Sequence, residues 1–291
     1  MLQPLRTLKT ARKLQSAMEY LMTYGWAILI IAVVLGALFQ LGVFNSSSFS
    51  PRAPPGACQV FRPSGPGTTT NINLMGVCTG QLPQYVTIFK GSSDSYIGSI
   101  PDGSFPSGSN PVSIFAWIKS TQNVYAPFVV QYGNSGTNYQ NWILEYANGH
   151  ACVDSWGTGT CVGALINDGN WHFIGFTYSS GTSATVYIDG VGTAASWSGT
   201  PAVNTLSGTS GRIGYGYTNY YSGSIANAQI YNTTLTANQI QALYLEGIGG
   251  APMKLQNLVG WWPLNGNSND YSGNNNNGVP ANVAFTSQYG K

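Results

Sequence analysis

The chain has 291 residues, with 11 Lys+Arg against 9 Asp+Glu, 7% charged residues, 13% aromatic residues and 4 cysteines. Four of those cations lie in the first 14 residues, and the mildly acidic remainder argues against nucleic acid as a partner. The aromatic content excludes a solvated, disordered chain, and the length allows one large β domain or two small ones.

The first 14 residues form a basic leader with Arg6, Lys9, Arg12 and Lys13. No charge follows from Leu21 to Phe44, and as a helix that run spans about 35 Å, enough to cross a bilayer. Basic residues stay on the cytoplasmic side, which sends the C-terminal part outside the cell. The apolar run is too long for a secretory signal and lacks a small-residue cleavage site after it. A plain signal anchor is one reading. The other comes from the junction Lys13-Leu-Gln15-Ser-Ala-Met-Glu19-Tyr-Leu, which resembles the class III signal peptide of archaeal type IV pilins. The resemblance implies a prepilin peptidase that cuts between Leu14 and Gln15. It also implies a mature helix over 15–44 that assembles with other pilin-like subunits. Glu19 becomes the fifth mature residue and pairs with the N-terminal amine of a neighbouring subunit. Removing the four basic residues of the leader leaves seven cations against nine acids, a net charge of −2.

Residues 45–57, rich in Pro and Ser, read as an extended linker. Asn45 opens an N-glycosylation sequon there, and Asn232 opens another. Four cysteines, Cys58, Cys78, Cys152 and Cys161, fall in the exported part, and an even count suggests two disulfides. Three pairings are open; proximity in sequence favours Cys58–Cys78 and Cys152–Cys161. A zinc site lacks a four-ligand spacing around His150, Cys152 and Cys161. Residues 58–84 are expected to be a disulfide-closed extension, with a hairpin or short strand pair from Gln59 to Leu82.

From Tyr85 the pattern becomes strand and turn. Tyr85–Phe89, Val112–Ile118, Phe128–Tyr132, Trp142–Tyr146, Trp171–Tyr178, Thr185–Ile188, Gly211–Gly214, Gly223–Ile225 and Ala228–Tyr231 carry β-branched and aromatic residues between turn signals. Asp189-Gly190 is a hairpin turn. A short helix is predicted over Thr236–Tyr244, with Thr236 as N-cap and Gly247 as terminator. The expected fold is mainly β: an N-terminal transmembrane helix and an exported antiparallel β-sandwich over 58–291.

Phe115-Ala-Trp-Ile, Asp168-Gly-Asn-Trp-His172-Phe-Ile, Val186-Tyr-Ile-Asp189-Gly190 and Ile230–Tyr244 resemble, in order and spacing, the laminin-G-like, concanavalin A-like jelly roll. One departure stands out. Leu258-Val-Gly-Trp-Trp-Pro-Leu-Asn-Gly resembles that family's opening strand but comes last. A circular permutation or a truncated second repeat would explain it, and permutation costs little because jelly-roll termini lie close together.

Some jelly rolls of this superfamily are glycoside hydrolases, which need two carboxylates flanking a bond. No strand here carries a cluster of acids, and Asp168 and Asp189 sit in turns, so no enzyme activity is expected. His172 reads as strand packing. The resemblance implies instead a loop-borne site for a glycan or protein ligand. Trp156, Trp197, Tyr215, Tyr217, Tyr220 and Tyr221 supply aromatic faces beside turn residues. Calcium is an optional ligand, with Asp270 and Asn227 as its candidate donors. Ala226-Asn227 stands where relatives often carry two acids. The resulting expectation is a cell-surface pilin-like subunit or adhesin, single-pass with its C-terminal domain outside. A monomeric membrane-anchored lectin is the alternative, and a surface glycosidase ranks below both.

Overall fold

In the computed structural model the described residues are 22, 24–37, 59–65, 68–73, 85–197, 202–206 and 211–286. They divide into two units. The first contains a helix, α1, over residues 24–37. Among the described residues no helix is long and apolar enough to cross a membrane. The ends of the expected 15–44 segment lie outside the described residues, as do Leu14, Gln15, Glu19, Asn45, Cys58 and Cys78.

The second unit begins with an antiparallel hairpin of β1 (Gln59–Gly65) and β2 (Thr68–Asn73), in the stretch expected to hold a strand pair. Then come β3 (Val86–Lys90), β4 (Tyr96–Ile100), β5 (Val112–Lys119), β6 (Phe128–Gly133), β7 (Asn141–Ala147), β8 (His150–Ser155) and β9 (Thr158–Val162). They are followed by β10 (Trp171–Tyr178), β11 (Ser183–Ile188), β12 (Val191–Ser196), β13 (Gly211–Ile213) and β14 (Ser222–Tyr231). Helix α2 (Ala237–Glu246) and β15 (Leu258–Trp262), β16 (Val279–Ala281) and β17 (Ala284–Thr286) complete the chain. Two antiparallel sheets form a jelly-roll sandwich. One runs β12-β11-β10-β5-β14-β3-β17 with β15 also on β14, and the other runs β16-β4-β13-β6-β7-β8-β9.

The sequence of β5, VSIFAWIK, is buried from Val112 to Ile118 because both of its faces are covered. Ile114, Ala116 and Ile118 face the core between the sheets, with Ile174, Phe176 and Trp142. Phe115 and Trp117 point the other way, where α2 covers them with Ile240, Leu243 and Tyr244. Trp117 stacks on Tyr244 at 5.9 Å and Phe115 on Phe173 at 5.3 Å. The expected N-cap is present. Thr236 and Gln239 form a reciprocal capping box, and Gly247 ends the helix with φ 80°.

Two predicted strands, 223–225 and 228–231, are one strand, β14, with a bulge at Asn227. Residue 227 has φ 50°, a conformation that Asn tolerates. At this bulge β14 changes partner. Its first half pairs with β3 through Thr87↔Ile225, and its second half pairs with β15 through Trp262↔Ala228. β15 and β3 therefore lie end to end along one side of β14, two chain-distant halves of a single strand position. The last strand, β17, pairs back onto β3, with Thr286 opposite Val86. The C-terminal segment is thus built into the same sandwich as the rest.

Cys152 and Cys161 are disulfide-bonded. They sit directly opposite each other on β8 and β9, with Cα atoms 4.0 Å apart.

Candidate functional site

The outer face of the seven-stranded sheet carries one row of side chains fixed by register. Arg212 on β13 lies opposite Gln131 on β6, Gln131 opposite Ile143 on β7, and Ile143 opposite Asp154 on β8. On the next row Phe128 lies opposite Glu145. Ala126, Phe128 and Ile143 form a small apolar cluster on this face, with Trp156 and Tyr215 packed against it.

Two turns raise aromatic walls over this floor. Trp156 is at the β8–β9 turn; its N–H donates to Asn141 Oδ1 (2.8 Å) and its carbonyl accepts from Tyr139 N–H (2.8 Å). Tyr215 and Tyr217 stand on the loop after β13, tied to the floor by the Phe128 N–H to Tyr215 O bond at 2.8 Å. That loop needs a glycine at 216. A Cβ there would lie 1.9 Å from the Asn219 carbonyl oxygen. Trp156 and Tyr217 meet edge to face at 4.7 Å, and Tyr215 meets Tyr96 at 5.3 Å and Tyr220 at 5.5 Å.

Between the walls is a cleft of about 200 Å³, lined by Phe128, Gln131, Ser135, Gly136, Trp156, Arg212, Tyr215 and Tyr217. Gln131 is 2% exposed, yet its Oε1 has no hydrogen-bond partner among the described residues. A buried acceptor left unmatched costs about 1–3 kcal/mol, so a donor is expected to arrive with solvent or ligand. The Arg212 guanidinium lies 4.4 Å from the Tyr215 ring centroid.

Glu145 and Asp154 share this face as diagonal neighbours on adjacent strands. Burial, then repulsion from Asp154, pushes Glu145 far above the usual carboxylate range. Burial also raises Asp154. At neutral pH the pair therefore keeps a proton and carries about one charge.

The sequence reading of the aromatics divides here. Trp156, Tyr215 and Tyr217 line the cleft and Tyr220 backs Tyr215. Trp197 and Tyr221 do not belong to it. Trp197 is 8% exposed and packs in the central core, 6.4 Å from Trp142. Tyr221 is fully buried between Phe89 and Tyr146, and its hydroxyl donates to the Ser224 carbonyl at 3.1 Å. It leads directly into β14 and so turns inward, whereas the preceding tyrosines ride the loop.

The expected calcium donors are also occupied elsewhere. Asp270 accepts from the N–H groups of Trp261, Ser272 and Asn276, each at 2.9 Å, and from the Ser272 hydroxyl at 2.8 Å. Its carboxylate organises the loop between β15 and β16. Asn227 Oδ1 accepts from Gln229 and from the Trp261 indole, while its amide donates to Gly250 O. Among the described residues no group of His, Cys, Asp and Glu is arranged to hold a metal ion. Asn232 is exposed, with its side chain against Asn257.

His172 does more than pack. Its Nδ1 lies 2.8 Å from Asp189 Oδ2 and its Nε2 lies 3.2 Å from Asp168 Oδ1. Burial opposes its charge, but the two carboxylates outweigh burial and raise it above its ordinary 6.5.

The sequence matches the Laminin_G_3 family, the Concanavalin A-like lectin/glucanases superfamily, over residues 91–241, just over half of the chain. The chain belongs to that family. No curated protein gives a match to the sequence. Among solved structures, a candidate carbohydrate binding protein from Bacteroides ovatus is similar at 15% identity and TM-score 0.53; the alignment covers 75% of this chain and 66% of that one. Domain 4 of AbnA, a GH43 extracellular arabinanase from Geobacillus stearothermophilus solved with arabinotriose, is similar at 22% identity and TM-score 0.43, over 54% of this chain and 75% of that one. A heptameric SAP-like pentraxin from Limulus polyphemus is similar at 12% identity and TM-score 0.48, over 70% and 94%. These likenesses concern the fold. Within the family match lie β4–β14, and hence every residue lining the cleft.

Arg212, Gln131 and Phe128 escaped sequence reasoning. They sit in strands whose apolar neighbours mask them. The available signal was alternation: a Gln inside Phe128–Gly133 and an Arg between Gly211 and Ile213 must each point to one face.

Proposed function

We propose that the chain is a cell-surface glycan-binding protein, tethered and assembled through a pilin-like N-terminus. The observation that carries the binding half is the buried, unmatched carbonyl of Gln131 at the floor of an aromatic-walled cleft. Sugar rings offer apolar faces to Trp and Tyr, and hydroxyl donors to such a carbonyl. Membership in a superfamily described by its lectins and glucanases supports the same reading, as does the fold shared with the candidate carbohydrate binding protein. The full chain, kept in detergent, is expected to bind members of a polysaccharide array. Trp156→Ala is expected to reduce that binding by at least tenfold without changing thermal unfolding by more than a few degrees. An array on which wild type and Trp156→Ala are indistinguishable would remove the cleft from the reading.

Binding, not hydrolysis, is the proposed role of the outer face. Neither acid of this face, Glu145 or Asp154, is among the residues lining the cleft, whereas a glycosidase needs two carboxyls flanking the bond it cuts.

The N-terminal half of the proposal rests on the sequence. The basic leader 1–14 is removed before Gln15 by a prepilin peptidase, 15–44 enters the membrane, and Glu19 pairs with a neighbouring subunit's amine. Glu19→Ala is expected to leave membrane insertion intact and to abolish recovery in sheared surface filaments. Wild-type protein that begins at Met1 and never sediments with filaments would leave the second reading, a monomeric membrane-anchored lectin. The order of the strands is proposed to be a circular permutation of the family's, with its opening strand position shared between β15 and β3.

A further inference from the structure

We propose that the ligand of the cleft carries an anionic group, a carboxylate or sulfate on a sugar ring, which pairs with the guanidinium of Arg212. This inference rests on the glycan reading above and narrows it to acidic glycans.

Arg212 is half-buried on the outer row, opposite Gln131. Every ion pair among the described residues involves His172, so Arg212 faces the cleft without a carboxylate partner. Its guanidinium is held against the Tyr215 ring, 4.4 Å from the centroid. That contact anchors the group at the wall of the cleft, and its N–H donors form a planar fork. Such a fork matches a carboxylate or sulfate with two parallel bonds.

The energetics favour an acidic ligand over a neutral one. Any ring stacked between Trp156 and Tyr215 strips water from the guanidinium. A hydroxyl returns an ordinary hydrogen bond, whereas a bond between two charged groups is markedly stronger. Gln131 beside it supplies the acceptor for a ring hydroxyl. The nearest acids on the row do not oppose this. Asp154 lies three strand spacings from Arg212, about 14 Å, beyond the screening length of about 8 Å at physiological salt. Its partner Glu145 holds a proton at neutral pH.

The test uses the full chain in detergent and two matched pairs of polymers. Polygalacturonate against its fully methyl-esterified form reports on a carboxylate. Dextran sulfate against dextran reports on a sulfate. Wild type is expected to bind at least one acidic member at least tenfold more tightly than its neutral partner. Arg212→Gln is expected to bring that ratio to about one, and Arg212→Lys to restore part of it. Lys254→Gln, which removes a cation outside the cleft, is expected to leave it unchanged. Equal binding of acidic and neutral members, or an acidic preference that survives Arg212→Gln or falls equally with Lys254→Gln, overturns the proposal while the glycan reading stands. Binding to none of the four polymers also overturns it. The polysaccharide array with Trp156→Ala then decides the glycan reading on its own.

Discussion

At the residue scale, His172 shows how a strand position that reads as packing can hold a hairpin together. It is 1% exposed and lies between the carboxylates of Asp189 and Asp168. Asp189 Oδ1 also accepts the Phe173 N–H at 2.9 Å, so the β11–β12 turn is tied back to β10. Because the folded His172 titrates above 6.5, its stabilisation is complete below that value and is lost as pH rises through the raised one. Chemical denaturation from pH 6 upward is expected to show falling stability, and Asp189→Asn is expected to cost about 3 kcal/mol at pH 6. That variant should also flatten the pH dependence. None of this was visible in the sequence, which placed Asp189 in its turn and His172 in its strand but could not show their contact. The cleft was legible in the same partial way. Trp156, Tyr215 and Tyr217 announced themselves as aromatics beside turns. Gln131, Arg212 and the Glu145–Asp154 pair depend on register between strands, which residue order does not carry.

At the scale of the element, the loop between β15 and β16 is held by one carboxylate. Asp270 takes three backbone N–H groups and one hydroxyl. One of those N–H groups belongs to Trp261 of β15, and Asn276 in the same loop donates to Val259 O at 2.8 Å. Truncation of Asp270 to Ala would leave three backbone N–H groups and one hydroxyl to find water, and is expected to lower stability by about 2–4 kcal/mol in denaturant titration. An unchanged midpoint would show that the loop is not coupled to the sandwich. The regular elements were well marked in the sequence. The β5, β6, β7 and β10 runs are strongly apolar, and the capping box of α2 was anticipated at its N-cap. The strands β4, β8, β9 and β12 were not anticipated, since their mixed polar composition gives no clear period. Asn227 hid the continuity of β14, because a bulge interrupts the alternation on which strand reading depends.

At the scale of the whole molecule, the sandwich draws one strand position from both ends of its sequence. Thr286 lies opposite Val86 on neighbouring antiparallel strands, a separation that a hairpin loop of about two to five residues spans. A rearranged sandwich that starts at Ala251, joins residue 286 to residue 85 through five residues, and ends at Gly250 is expected to fold with the same near-ultraviolet dichroism. Failure of that chain to fold would mean that the present connection through Gly249-Gly250 is needed for more than linkage. The resemblance of Leu258–Gly266 to an opening strand was legible in the sequence. Its seat beside the bulge of β14 was not, because nothing local to either half names the other.

Synthesis delivers the chain from its N-terminus. When β14 emerges, half of its flank can pair with β3, but Ala228–Tyr231 must wait for Leu258–Trp262. Until then the sheet has an open edge at its centre, where stray strands can dock. A ribosome that stalls, or a protease that nicks, before residue 258 leaves a nearly finished domain that cannot close. Residues 258–262 carry none of the cleft, yet they close the flank of the sheet that backs the one bearing it.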